Sequence, residues 1–155
     1  MITDLEFLST TDKPALLGLN TPQYVEAAKA TLASLNYKVH WALNHGDFIT
    51  RFTRVPYQMV LLEERFDATS RAQNLTLENL QVMPMNQRRH AIVLLLGDSF
   101  ETMNVMQAFG HSVHAVVNPA DLGKLTQVVQ QIVSDNDIFL NVYREAALRV
   151  AQGKV

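Results

Sequence analysis

Two short apolar runs restrict the fold of this chain more than any other feature of its sequence. Residues 15–19 (ALLGL) and 91–96 (AIVLLL) contain no polar side chain. Runs of this length, bounded by turn residues, are typical of strands that are buried on both faces of a parallel sheet. Three further segments rich in β-forming residues, at 37–42, 57–62 and 113–117, predict a sheet of five strands.

Helical periodicity separates these strands. A capping residue and a proline at Asn20-Thr21-Pro22 precede the first helix, and Asp98 and Glu101 have the spacing of a capping box before the fourth. The spacing of apolar residues predicts helices near 22–35, 47–54, 70–83, 100–109, 120–133 and 136–152. Strands that alternate with helices predict an α/β fold, namely a flavodoxin-like, doubly wound five-stranded parallel sheet in the order 2-1-3-4-5, with an extra C-terminal helix. Along the chain we expect a leader or linker remnant (1–13), the sheet domain (14–133) and a C-terminal helical extension (134–155).

Composition excludes several classes of protein. The chain has 155 residues, about one domain's worth, and a formal net charge of −2. A chain this close to neutral has no strong field toward nucleic acid or anionic lipid, so we expect neither a nucleic acid nor a membrane as a partner. The apolar runs are far shorter than the roughly 18 residues that a membrane span requires. The absence of cysteine excludes disulfides and thiolate metal sites, and we expect a cytoplasmic domain.

Neither the histidines nor the serines form a pattern typical of a reactive site. His111 and His114 are three residues apart, but a zinc site needs three or four converging ligands. Ser99 beside Asp98 lacks the Gly-x-Ser-x-Gly pattern of an exposed nucleophile, and helix capping accounts for both residues. The first strand is not followed by a glycine-rich phosphate loop. We therefore predict no metal, no cofactor and no enzymatic activity.

Several segments resemble the receiver domain of two-component response regulators. Residues 36–46 are similar to the second strand and following turn of that family, and residues 58–63 (QMVLLE) to its third strand, which ends in the phospho-accepting aspartate. Residues 108–110 and 117–122 are similar to the end of the fourth helix and to the lysine-proline turn. The order and spacing of these segments, which cover about 14–133, carry the resemblance and imply a receiver fold.

The resemblance also identifies where a receiver would carry its chemistry. The acidic residues that hold magnesium in receivers match Leu19 and Asn20, and the phospho-accepting aspartate matches Glu63, or Glu64 if the strand shifts by one residue. The hydroxyl that receivers carry at the end of the fourth strand matches Leu96. The lysine before the proline matches Asn118, and the aromatic residue of the fifth strand that changes rotamer on activation matches Ala115. Phosphoryl transfer depends on a metal and a cation that stabilise charge in the transition state. The resemblance therefore implies a degenerate phosphoacceptor pocket and a pseudo-receiver.

Three other interpretations of the same residues stay open. One makes Glu63 a permanent mimic of a phosphorylated aspartate. Another makes the chain a functional phosphorelay receiver with an atypical site. A third makes it a small-molecule-binding flavodoxin-like domain, whose cleft at the strand ends is lined by Leu19, Asn20, Glu63, Leu96 and Asn118.

The predicted C-terminal helix points to association with another protein. Apolar residues between Ile138 and Ala151 leave it little polar surface, so it must be covered on more than one side. We therefore predict a non-enzymatic signalling module that acts as a homodimer and through an unknown protein partner. In receivers the fourth helix, fifth strand and fifth helix commonly form the output surface; with the final helix, this resemblance places the candidate association surface at Met103, Gln107, Val113, Leu122, Phe139 and Tyr143.

Overall fold

Five parallel strands form the centre of the fold. The computed structural model describes residues 12–67, 74–88 and 90–153. The strands are β1 (Lys13–Gly18), β2 (Tyr37–Trp41), β3 (Met59–Glu63), β4 (Ile92–Leu96) and β5 (Ala115–Val117), in the sheet order β2-β1-β3-β4-β5. The predicted order 2-1-3-4-5 is confirmed.

Helices cover both faces of the sheet. They are α1 (Pro22–Ser34), α2 (His45–Arg54), α3 (Leu75–Val82), the short α4 (Met85–Arg88), α5 (Val105–Gly110) and α6 (Leu125–Ala151), with a 3-10 helix (Pro119–Lys124) before α6. On one face, buried residues of α1 and of the first two turns of α6 pack on the sheet. On the other face, buried residues of α2, α3 and α5 do so. This two-sided burial explains why β3 and β4 contain so few polar residues.

The strand register brings the functional candidates to one edge of the sheet. Gly18 of β1 pairs with Leu62, Glu63 of β3 pairs with Leu96, and Leu96 pairs with Val117 of β5. The carboxyl ends of four strands, β1, β3, β4 and β5, therefore lie side by side.

The predicted start of the fourth helix is wrong. The residues after β4 form turns instead, and α5 begins at Val105. Its N-cap is Asn104, whose side chain accepts a hydrogen bond from the Gln107 N–H (2.9 Å), so Asp98 and Glu101 form no capping box. Met103 lies in the left-handed region with φ of 66°, which prevents a helix from running through this segment.

The two C-terminal helices predicted at 120–133 and 136–152 are in fact one. After the 3-10 helix, α6 runs for 27 residues, about 40 Å, without interruption. No glycine or proline lies between residues 125 and 151, so nothing stops the helix at the polar residues 134–137. The residues of α6 that are buried are Leu125, Val128, Val129 and Ile132, and the second half of the helix is largely exposed. None of the described helices is both long and apolar enough to span a membrane.

The remaining differences lie at element boundaries. β1 begins at Lys13, and the leader predicted at 1–13 otherwise lies almost wholly outside the described residues. The helix predicted at 70–83 begins at Leu75 after the cap Asn74, and residues 70–73 are not among those described. The turn α4 was not predicted.

Candidate functional site

Glu63, the last residue of β3, directs its carboxylate toward the loop that follows β1. Its Oε1 accepts hydrogen bonds from the backbone N–H of Asn20 (3.0 Å) and of Thr21 (3.3 Å), and its Oε2 accepts from Asn20 Nδ2 (3.4 Å). These contacts tie the end of β3 to the start of α1, where a negative charge is favourable.

Asn20 completes a closed set of hydrogen bonds at this corner. Its Nδ2 also donates to the Arg65 carbonyl (2.7 Å), and its Oδ1 accepts from the Asp67 N–H (2.8 Å). The side chain therefore joins the loop after β1 to the loop after β3. The carboxylate of Glu63 and the amide oxygen of Asn20 already act as acceptors for groups of the chain itself.

Glu64 is buried beside the end of β4. Its backbone N–H donates to the Leu96 carbonyl (2.7 Å), and its Oε2 accepts from the Ser99 hydroxyl (2.8 Å). A Cβ at Gly97 would lie only 2.6 Å from Glu64 Oε1, so this glycine leaves the space that the carboxylate fills. The interpretation of Ser99 as a helix cap is wrong, because its hydroxyl donates to the Glu64 carboxylate and the next helix begins only at Val105.

Three of the matched receiver positions lie in the hydrophobic core. Leu19, Leu96 and Ala115 are all buried in the cluster between the sheet, α1 and α6. None of the three offers a side-chain oxygen or nitrogen. These positions therefore contribute packing to the sheet and no ligand or reporter hydroxyl.

Asn118 acts as a cap at the end of β5. Its Oδ1 accepts from the Ala120 N–H (2.9 Å) at the start of the 3-10 helix, and its Nδ2 donates to the Phe100 carbonyl (2.8 Å). A neutral amide that joins two loops thus stands where the resemblance would place a lysine.

The cleft at the strand ends is small. Its volume is about 100 Å³, and it is lined by Thr21, Tyr24, Glu63, Glu64, Arg65, Leu96, Gly97, Asp98 and Pro119. Pockets that hold drug-sized ligands are typically about 300–1,000 Å³. Of the lining predicted from sequence, Glu63 and Leu96 contribute, whereas Leu19 lies in the core and Asn118 caps the 3-10 helix.

The residues at this edge do not fit the magnesium ion of a receiver. Magnesium requires oxygen ligands in near-octahedral geometry, usually one or two carboxylates with waters. Leu19 is apolar, and the oxygens of Asn20 and Glu63 are engaged by N–H groups. Within the described part of the chain, no three His, Asp or Glu side chains are placed to hold a metal ion.

A larger groove lies on the opposite side of β5, between α5 and α6. Its volume is about 500 Å³, and its apolar lining includes Val105, Phe109, Val113, Ile132 and Phe139. Of the predicted association surface, the structure brings together Met103, Val113 and Phe139 here, and places Tyr143 one turn further along α6.

The other two predicted surface residues are engaged elsewhere. The Gln107 side chain accepts from the Glu101 N–H (2.8 Å), and Leu122 packs partly buried against the core on the α1 side of the sheet. The most exposed apolar residues of α5 were missed from sequence, because the helix was predicted to begin too early; they are Val105, Met106 and Phe109.

Behind this groove, His114 and Arg88 have structural roles. His114 Nδ1 accepts from the Val93 N–H (3.0 Å), and burial together with the positive charge of Arg88 lowers the pKa of His114. The ring is therefore neutral at pH 7 and can accept this bond. Arg88 is itself buried and donates to the carbonyls of Leu80 and Ser112.

Comparison with solved structures identifies the fold. The chain superposes on a CheY-like receiver domain protein of Methanospirillum hungatei (TM-score 0.63, 12% identity, 82% of this chain and 98% of that one). It also superposes on a chemotaxis response regulator of Vibrio cholerae (TM-score 0.59, 12% identity, 79% and 99%). A fusion protein that contains a trimeric coiled coil of yeast Spc42 matches 94% of this chain over 92% of its own length (TM-score 0.63, 15% identity). No protein-family model matches the sequence, and no curated protein matches it. The chain thus has the flavodoxin-like fold of CheY-like receiver domains.

Proposed function

We propose that this chain is a cytoplasmic, non-enzymatic signalling module that keeps the receiver scaffold, associates with other protein chains and is not phosphorylated in the usual way. The observation that carries the proposal is the closed network of Glu63. Both carboxylate oxygens of Glu63 accept hydrogen bonds from the loop after β1. A carboxylate held in this way stabilises the fold and is poorly placed to attack a phosphodonor.

The surroundings of Glu63 support the same conclusion. Transfer of a phosphoryl group needs positive charge that stabilises its oxygens in the transition state. In receivers this charge comes from a magnesium ion, which two acidic residues hold, and from a lysine. The matching positions here are Leu19 and Asn20 for the acidic residues and Asn118 for the lysine, and all three are neutral. Glu64, the other candidate acceptor, is buried and accepts the hydroxyl hydrogen of Ser99.

Association is supported by the apolar surface that the described residues leave exposed. Val105, Met106 and Phe109 of α5 are each more than three-quarters exposed, and the second half of α6 adds Ile138, Phe139, Val142 and Tyr143. Contiguous exposed apolar surface of this kind marks protein–protein contacts in soluble proteins. We therefore propose a homodimer, with a further protein partner, as the working form.

Incubation with acetyl phosphate, with and without Mg²⁺, tests the proposal directly. We expect intact-mass spectrometry to show no added phosphoryl group under either condition, because the described residues place no set of metal ligands beside Glu63 and hydrogen bonds from the loop after β1 already engage its carboxylate. Light scattering after size-exclusion chromatography of the same sample should give the mass of a dimer. A Mg²⁺-dependent gain of one phosphoryl group would contradict the pseudo-receiver, and a monomer at all concentrations would contradict association.

A second experiment separates a structural Glu63 from a permanent phosphoaspartate mimic. The variant Glu63→Gln keeps one acceptor oxygen for the N–H groups of Asn20 and Thr21 and removes the charge. We expect it to lower the free energy of unfolding by about 1 kcal/mol and to leave the dimer mass unchanged. Glu101→Gln, which neutralises an exposed acid away from this network, is the matched control. Loss of association in Glu63→Gln alone would favour the mimic.

A further inference from the structure

The exposed half of α6 continues the face that packs on the sheet. A seven-residue repeat with alternating spacings of four and three runs through α6 as Ile132, Asn136, Phe139, Tyr143, Ala146 and Val150. Ile132 is buried, whereas Phe139, Tyr143 and Val150 are 68%, 60% and 71% exposed. Such a repeat is the pattern of helices that pair along a supercoiled seam.

We propose that a second copy of this chain covers this stripe in an antiparallel pair of α6 helices, with Val142 close to the two-fold axis. The inference rests on the self-association proposed above and adds the surface, the orientation and the register. In this arrangement the last turns of each α6 lie over the groove between α5 and α6 of the other copy.

The charges beside the stripe distinguish the two orientations. Asp135, Val142 and Arg149 are seven residues apart and occupy the same flanking position of the repeat. Flanking charges of this kind set the orientation of paired helices. In an antiparallel pair centred on Val142, each Asp135 lies within reach of the partner's Arg149, so the dimer contains this ion pair twice.

A parallel pair offers no such partner. In register, Asp135 would lie beside Leu140 of the partner, which is uncharged, and none of residues 150–155 is an acid that could pair with Arg149. In the antiparallel register, Asp135 and Arg149 each face a residue of opposite charge on the partner. In the parallel register, neither of them does.

The groove supplies an independent argument for the antiparallel orientation. With Val142 at the axis, the partner's Val150 comes level with residue 134, beside the groove that Phe109, Val105 and Phe139 line. Phe109 is 81% exposed in the single chain, and a groove of about 500 Å³ has room for small aliphatic side chains. A parallel pair would carry the partner's C-terminal turns away from α5 and leave this surface open.

The aromatic rings of the stripe account for about a third to a half of the area of a stable interface. Burial of the exposed parts of the four aromatic rings, Phe139 and Tyr143 of each copy, removes about 400–600 Å² from water. The aliphatic residues of the stripe and the two grooves add to this, toward the roughly 1,200 Å² of a stable complex.

Charge reversal in the full chain tests the register. Asp135→Arg and Arg149→Asp should each raise the dimer dissociation constant by about tenfold, because two attractive pairs become repulsive. The double variant Asp135→Arg/Arg149→Asp should recover most of the affinity. The control Arg144→Asp, which reverses a charge off the stripe on the same helix, should have little effect. Single reversals that leave the constant unchanged, or a double variant that is not rescued, would overturn the antiparallel register.

Spin-label distances give a second, independent measurement. Because the chain has no cysteine, Ala151→Cys provides one labelling site per copy. The antiparallel pair places the two labels about 30 Å apart, and an in-register parallel pair or trimer places them about 10 Å apart. The short distance in a stable oligomer would overturn this inference and leave the proposed self-association standing, whereas a monomer would overturn both.

Discussion

Cutting the chain after Ser134 is expected to convert the protein from a dimer into a folded monomer. The residues of α6 that are buried in the sheet domain, from Leu125 to Ile132, all precede the cut. The exposed apolar residues of the helix, from Ile138 to Val150, all follow it. Light scattering should therefore report the mass of one truncated chain instead of two, while the far-ultraviolet spectrum keeps the helical and strand signal of the domain.

Point variants in the full chain test the same surface without removing any part of α6, so that a loss of folding is not mistaken for a loss of association. Phe139→Asp combined with Tyr143→Asp places charge in the stripe but removes no buried residue, so we expect a monomer with its domain intact. Asn141→Asp adds the same kind of charge off the stripe and should remain a dimer. A truncated chain that kept the dimer mass would instead place the association surface within the sheet domain.

The sheet could be predicted from sequence because its strands are buried on both faces. Segments such as 91–96 have only one stable environment, between two layers of helices, and their alternation with helices leaves few topologies. The boundary within the C-terminal region could not be predicted in the same way. Residues 134–137 are polar, but polarity does not end a helix; α6 runs through them because no proline, glycine or capping contact provides a stop.

The positions of the candidate site could be identified from sequence, but their contacts could not. The sequence matched Glu63 to a phospho-acceptor or to a mimic of a phosphorylated aspartate, but its actual partners lie more than 40 residues away in the loop after β1. Those contacts depend on how two loops meet, which no local pattern records. The same holds for Ser99, whose hydroxyl serves Glu64 because the loop after β4 turns without forming a helix.

Asn74 holds this corner in place, and the sequence contains no motif that would single it out. The residue is almost fully buried, and its Nδ2 donates to the carbonyls of Glu63 and Glu64 (both 3.1 Å). Its Oδ1 accepts from the Leu77 N–H (3.0 Å) as the N-cap of α3. One side chain thus fixes the end of β3 and the start of a helix.

Replacement of Asn74 by leucine should therefore lower the free energy of unfolding by about 2–4 kcal/mol. The change deprives a helix of its cap, which costs about 1 kcal/mol, and removes the donor of two carbonyls in a buried site, which costs about 1–3 kcal/mol for a group left unsatisfied. Urea unfolding at one fixed protein concentration measures the loss, since the dissociation of a dimer would otherwise enter the result.

Two further variants divide this effect between its causes. Asn74→Ser keeps an oxygen that can cap α3 but loses the donors to the carbonyls of Glu63 and Glu64. Because the cap is kept, Asn74→Ser should lower the free energy of unfolding by about 1 kcal/mol less than Asn74→Leu does. Asn104→Ala removes the equivalent cap of α5, at a site that is less buried, and should cost about 1 kcal/mol. If Asn74→Leu costs no more than Asn104→Ala, the two carbonyl bonds contribute nothing to stability. The end of β3 would then be held by its other contacts, those of Glu63 with the loop after β1 and those of Glu64 with Leu96 and Ser99.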